Sequence, residues 1–176
     1  MTNVDILLSG GLDSAILAAE LKQKYKVNAY TFDQANCLPF ATKVCEILDI
    51  NLNILDIEVN NDRNEVIRAV DKLIENRNTD LYLGITALPP FKHHDAPLRA
   101  SQNKIESYNK FLKAPYASLQ KDEVLKKGLS LPYIDELIKY THSCYTTNNI
   151  RCGKCFNCVE RKWAFDSIGI TDKGKY

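Results

Sequence analysis

The chain has 176 residues, 45% of them hydrophobic, which is enough for one domain around a single buried core. Its 23 basic and 22 acidic residues nearly cancel, so no global field draws it to nucleic acid or to an anionic lipid surface. No apolar run approaches the roughly 20 residues that span a bilayer, and the opening MTNVDILL lacks the basic stretch and long apolar run of a signal peptide.

In chain order, Val4 to Leu8 is a short apolar run closed by Ser9, Gly10 and Gly11, and helix-spaced Ile16, Leu17 and Leu21 follow. That pattern predicts strand, tight turn and helix. Val27 to Phe32 predicts a second strand, and Leu38 to Leu48 a helix entered at Pro39, a residue tolerated in the first turn. Leu52 to Ile57 alternates as a third strand, and Asn64 to Glu75 follows the 3.6-residue period of an amphipathic helix. Leu81 to Gly84 makes a fourth strand. Strands alternating with helices imply βαβ crossovers, hence an α/β fold with a parallel sheet and helices on both faces, with ligands at the carboxyl ends of the strands. From Ile85 to Ser101 the pattern breaks around three prolines and two histidines, as in a long functional loop. Helices are expected at Lys104 to Leu112, Lys121 to Lys127, Tyr133 to Tyr140 and Val159 to Phe165. Tyr108, Phe111, Tyr116 and Trp163 read as packing residues. The whole is expected to be one domain, 1–176, with a helical metal-binding segment at 141–166.

Ser9-Gly10-Gly11-Leu12-Asp13-Ser14 joins the first strand to the first helix, where backbone N–H groups and the positive end of a helix dipole converge on an anion. The glycines let a phosphate approach the main chain, and Ser9 and Ser14 offer hydroxyl donors. Asp13 is out of place beside bare phosphate, which leaves it a magnesium ligand or a helix cap. The segment lacks the Lys-Ser/Thr ending of a Walker loop and the spaced glycines of a dinucleotide fingerprint.

The expected compartment is the cytoplasm, where disulfides are uncommon, so the six cysteines call for another explanation. Cys144, Cys152, Cys155 and Cys158 have intervals of a tight knuckle, with Gly153 permitting the reversal. Four thiolates suit a closed, structural zinc site, and an iron-sulfur cluster is the alternative. Arg151, Lys154, Arg161 and Lys162 would offset the negative charge of such a centre. Cys37 and Cys45 read as ordinary buried thiols. His93 and His94 read as solvated loop residues and are assigned no metal.

The segment from Ser9 to Ser14 resembles the SGGxDS pyrophosphate loop of the N-type ATP-pyrophosphatases, which implies cleavage of ATP between its α and β phosphates. Leu8 to Ser14 would then bind the nucleotide, and Phe32, Asp33 and Gln34 would lie beside the adenosine, unless Phe32 is core and the other two are loop. Together with Gln120-Lys121-Asp122-Glu123-Val124 and His142-Ser143-Cys144-Tyr145 leading into Cys152-Gly153-Lys154-Cys155-Phe156-Asn157-Cys158, the chain resembles the 7-cyano-7-deazaguanine synthases from Ile6 to about Phe165. That resemblance implies conversion of a 7-carboxy-7-deazaguanine to the nitrile with ammonia, ATP and magnesium. It also implies a homodimer, while the balanced charge gives no reason to expect direct binding of nucleic acid. Lys121 matches the family lysine near the phosphates and, with Asp13, is a candidate catalytic residue; the alternative is a solvated lysine on a helix face. The match weakens after the fourth strand. Where the family has Gly-Ala-Asn and Tyr-Pro-Asp-Cys-Arg runs, this chain has Gly84-Ile85-Thr86 and His93-His94-Asp95-Ala96-Pro97-Leu98-Arg99, and it is shorter than the usual member. Gly84 keeps its place at the nucleotide. Asp95, facing a guanine-like N–H edge, and Arg99, pairing with a carboxylate or phosphate, are the candidate substrate residues, unless both are ordinary loop residues.

Two other readings compete. One is an ATP-pyrophosphatase that thiolates or amidates a different substrate, for which Cys37 is the only sulfur candidate near the nucleotide. The other is a nucleotide-binding zinc knuckle without catalysis, which would bind ATP and release neither AMP nor pyrophosphate.

Overall fold

Short apolar runs form five strands: β1 Asn3–Leu7, β2 Lys26–Phe32, β3 Asn51–Leu55, β4 Leu81–Leu83 and β5 Leu112–Lys113. The computed structural model describes residues 1–33, 37–56, 70–75, 78–145 and 150–174. All described strand pairs are parallel, in the order β3-β2-β1-β4-β5. Helices α1 Leu12–Lys22, α2 Leu38–Leu48, α3 Gln102–Tyr108, α4 Lys121–Gly128, α5 Ile134–Tyr140 and α6 Phe156–Ser167 complete the elements, and residues 70–75 are also helical.

Side chains alternate across β1, so Ile6 joins one apolar cluster while Leu7 packs on the other. The first cluster seats α1, α2 and α4 to α6 through Ile16, Leu17, Val44, Leu48, Leu125, Leu137 and Phe165. The second gathers Tyr30, Val70, Leu73, Leu81, Ile105 and Leu112 on the opposite face. Helices thus cover both faces, as the alternating pattern predicts. The chain leaves β1 toward β2 on one side and returns to β4 on the other, which opens a crevice at the carboxyl ends of β1 and β4. No described helix is long and apolar enough to cross a membrane.

Several expectations need adjustment. The helix expected over Lys104 to Leu112 ends at Tyr108, because Leu112 and Lys113 extend the sheet beside Leu81 and Tyr82. Ladder hydrogen bonds and burial of Leu112 outweigh its helical spacing. The last helix begins earlier than expected, directly after Cys155, and runs to Ser167. Tyr133 is a cap residue with φ 64° before α5. Most of the helix expected from Asn64, the end of the third strand at Ile57, and Gln34 lie outside the described residues.

Candidate active site

The loop after β1 is built for close approach. Gly10 has φ +73°, and a Cβ there would stand 2.5 Å from Cβ of Phe40. The backbone at Gly10 therefore requires glycine on two counts, conformation and space. Ser14 Oγ donates to the carbonyl of Gly11 at 3.1 Å and lies 3.2 Å from Ser9 Oγ, while the Gly11 amide donates to Ser9 Oγ at 3.3 Å. These bonds fix the two hydroxyls at the start of α1, whose first-turn N–H groups have no acceptor within the helix. From the other strand, Gly84 lies so close that a Cβ would meet Ser14 Cα at 2.7 Å. His142 donates its amide to the Gly10 carbonyl at 3.0 Å and stacks on Phe40 with ring centroids 4.5 Å apart.

A cavity of about 990 Å³ opens over this loop, bordered by Ser9, Asp13, Phe32, Gly84, Arg99 and Lys121 among others. Phe32 is both buried and part of the cavity wall, whereas Asp33 is exposed beyond the strand end. Gly10 turns toward α2 and Leu12 is buried in the core, so these two act through the shape of the loop.

Lys121 is not a solvated helix-face residue. It is buried, pairs with Asp13 through Oδ2, and has Glu160 Oε2 at 3.4 Å. Asp13 Oδ1 is a buried acceptor with no hydrogen-bond partner. An orphaned carboxylate oxygen on the cavity wall has the chemistry of a divalent-cation ligand, and the N-cap position of α1 is held by Gly11 and not by Asp13. Arg99 Nη1 and Nη2 donate to Glu160 Oε1 and Oε2 at 2.7 and 2.9 Å. Nη1 also reaches Thr86 Oγ1 and the Ala87 carbonyl, each at 2.7 Å. Arg99 reaches the cavity wall but Asp95 does not. Asp95 Oδ2 accepts from the Phe156 amide at 3.3 Å at the start of α6, and its other oxygen pairs with His93.

Glu160 went unread in the sequence. Its signal was a charged residue on the buried stripe Phe156, Glu160 and Ala164, spaced at i, i+4 and i+8. A carboxylate on such a stripe implies buried cationic partners.

The four knuckle cysteines converge. Their sulfur atoms all lie within 4.8 Å of one another, with Cys152 to Cys158 at 4.0 Å and Cys144 to Cys155 at 3.9 Å. Sulfur atoms at the corners of a tetrahedron around zinc, with bonds of about 2.3 Å, stand about 3.8 Å apart. The set fits one ion; a multi-iron cluster interposes several metal atoms and spreads its thiolates further. The amides of Lys154 and Cys155 donate to Cys152 Sγ at 3.5 and 3.3 Å and hold that thiol below its ordinary pKa. Burial pushes Cys155 and Cys158 up, which a bound cation would reverse. Of the basic residues expected to offset the thiolates, Arg161 spends its hydrogen bonds elsewhere. It is buried and donates to Asp172, to Thr141, and to the Ile138 carbonyl at 2.8 Å.

A family model described as queuosine biosynthesis protein QueC matches residues 94–169. Among curated relatives, 7-cyano-7-deazaguanine synthase of Methanococcus maripaludis strain S2 is 28% identical over 225 positions, covering 97% of both chains. The enzymes of the same name from Caldicellulosiruptor bescii (29%, covering 97% of this chain and 96% of the relative) and Methanocaldococcus jannaschii (28%, 97% of both) match to a similar degree. Because these alignments span more than 200 positions against 176 residues here, the relatives carry segments that this chain lacks. A solved structure described as a predicted subunit of a tRNA methyltransferase from Methanocaldococcus jannaschii is similar at TM-score 0.48 and 19% identity, over 73% of this chain and 74% of that one. The chain is thus similar to the QueC-like 7-cyano-7-deazaguanine synthases, by the family model in its C-terminal half and by these relatives along nearly its whole length.

Proposed function

We propose that this protein activates the carboxylate of a 7-deazapurine acid, 7-carboxy-7-deazaguanine in the first instance, by AMP transfer from ATP and couples it to ammonia. The observation that carries the reading is the pair of buried Lys121 and half-buried Asp13, set between the SGGxDS loop and Arg99 on one cavity wall. A carboxylate is a poor electrophile. Attack of its oxygen on the α-phosphorus expels pyrophosphate and leaves a mixed anhydride; ammonia then takes the acyl carbon, AMP departs, and a proton is lost. Repeating the activation on the amide oxygen, with loss of AMP and protons, gives the nitrile.

In this scheme the chain's residues mainly position and neutralise. The loop amides and the hydroxyls of Ser9 and Ser14 hold the β and γ phosphates. Lys121 exchanges Asp13 for the charge that develops on the pyrophosphate, and Asp13 would hold magnesium, which supplies further neutralisation of that charge. Phe32 and the Gly84 backbone offer an apolar wall and main-chain groups to the adenosine. Arg99, at the cavity wall, faces the acid. Asp95 supports the loop from behind by holding the start of α6. The zinc that the four cysteines would hold has no open position and serves the fold.

The wider range of ATP-pyrophosphatase chemistry includes sulfur transfer, for which Cys37 is the candidate on the cavity wall. Burial pushes its thiol up to about 11, so it stays protonated and a poor nucleophile at neutral pH. The test is to supply ATP, magnesium, ammonium and 7-carboxy-7-deazaguanine and to follow AMP, pyrophosphate and the mass of the deazapurine. Amide or nitrile formed with AMP supports the proposal; AMP release that ignores the acid removes this substrate from it.

A further inference from the structure

Glu160 stands behind two cations that face the cavity. Its side chain is 0% exposed, both oxygens are engaged by Arg99, and Oε2 lies 3.4 Å from Lys121 Nζ. Arg99 and Lys121 border the cavity, and so does Asp13, the other partner of Lys121. The result is one run of alternating charge, Asp13–Lys121–Glu160–Arg99, buried at Lys121 and Glu160 and partly exposed at Asp13 and Arg99, drawn from α1, α4, α6 and the loop before α3. Two carboxylates meet two cations and the run sums to zero. Among the described residues, Lys104 is the one further charged side chain on the cavity wall, and it is exposed to solvent, where its field is screened.

A cavity meant for a polyphosphate gains from excess positive charge, yet here the excess is cancelled by a residue that never touches the ligand. Arg99 cannot swing away from Glu160 without also leaving Thr86 and Ala87. We propose that Glu160 is a specificity-determining residue, which keeps the buried charges neutral so that the cavity takes a polyphosphate complexed with a divalent cation and rejects the bare anion. The added cation has a place to go, since Asp13 Oδ1 is a buried acceptor without a partner. Deep in the protein, a fixed carboxylate repels an incoming anion far more strongly than it would at the surface. This inference rests on the reading that the cavity binds nucleotide phosphates.

The test uses the full chain with inorganic pyrophosphate as probe, titrated calorimetrically with magnesium and in magnesium-free buffer without chelator, so that any zinc stays in place. The readout is the ratio of the two dissociation constants. Wild type is expected to bind poorly without magnesium. Glu160→Gln, which keeps the volume and one acceptor for Arg99, is expected to improve magnesium-free binding and to lower the ratio by about tenfold. Arg99→Gln, which leaves the carboxylate in excess, is expected to raise the ratio, and this variant decides the matter should Glu160→Gln fail to give a cooperative melt. A merely structural Glu160 would weaken both affinities by the same factor, and an unchanged ratio in the folded variants overturns the proposal. Failure of wild type to bind pyrophosphate even with magnesium overturns it together with the nucleotide reading.

Discussion

Lys121 lies almost out of solvent between two carboxylates, an arrangement that confines its charge to the cavity side of α4. Replacing it with glutamine should cut turnover by about 10²-fold or more, a typical loss for one electrostatic contact to a charge developing in the transition state. The melting temperature should fall far less; equal loss of fold and activity would demote Lys121 to a structural ion pair. Cys37 makes the opposite prediction. Cys37→Ser should keep ligation activity, and iodoacetamide should leave the native thiol largely unmodified near neutral pH, because its pKa of about 11 keeps it protonated. Arg161 supplies the largest stability prediction. Arg161→Ala strips Asp172 and the carbonyls at the end of α5 of their buried partner, so unfolding in urea should show a loss of about 3–5 kcal/mol. Asp172 gives that pair a pH dependence. Burial pushes its carboxyl up, but the hydrogen bond and charge of Arg161, with the charge of Arg151, bring it below its ordinary value. A depressed folded-state pKa contributes stability that is present above the unfolded value and is lost as pH falls through the folded one. Asp172→Asn should therefore lower stability at neutral and alkaline pH and flatten the acid limb of the stability curve, so that the difference from wild type shrinks as pH falls.

At the scale of elements, the knuckle and the loop before α3 form one unit. His93 Nε2 meets the Lys154 carbonyl at 3.1 Å, Asp95 holds the Phe156 amide, and Arg99 grips Glu160 while its guanidinium lies 5.2 Å from the Phe156 ring centroid. Phe91 adds edge contact to Trp163 at 5.9 Å. Stripping zinc should therefore do more than loosen the cysteines. Amide exchange should accelerate in residues 85–101 and the first turn of α6 while the β1–β2 ladder stays protected; an unaffected loop would show that the contacts hold without metal. These contacts also explain what the sequence concealed. The loop and the knuckle were each recognisable, one by broken periodicity and one by cysteine spacing, but nothing local says that they touch across some sixty residues. β5 was hidden for a related reason: two residues acquire strand character only by lying beside β4.

For the whole molecule, the legible parts were those whose chemistry is local. The SGGxDS turn declares its helix within six residues, the strand and helix periods declare the parallel sheet, and four cysteines closely spaced in sequence declare a cluster of thiols that could hold a metal. Glu160 was illegible because its meaning comes from Arg99, 61 residues earlier, and Lys121 on another helix. Asp95 was legible as a polar loop residue, yet only the fold shows that it faces the helix start and not the cavity. The central claim, that the site transfers AMP to a carboxylate, is open to one direct measurement. Supplying 7-carboxy-7-deazaguanine labelled with ¹⁸O in its carboxyl group, together with ATP, magnesium and ammonium, should yield AMP carrying ¹⁸O, because the carboxylate oxygen stays on the phosphorus when ammonia displaces it. Unlabelled AMP, or label found in pyrophosphate or phosphate, would contradict the account.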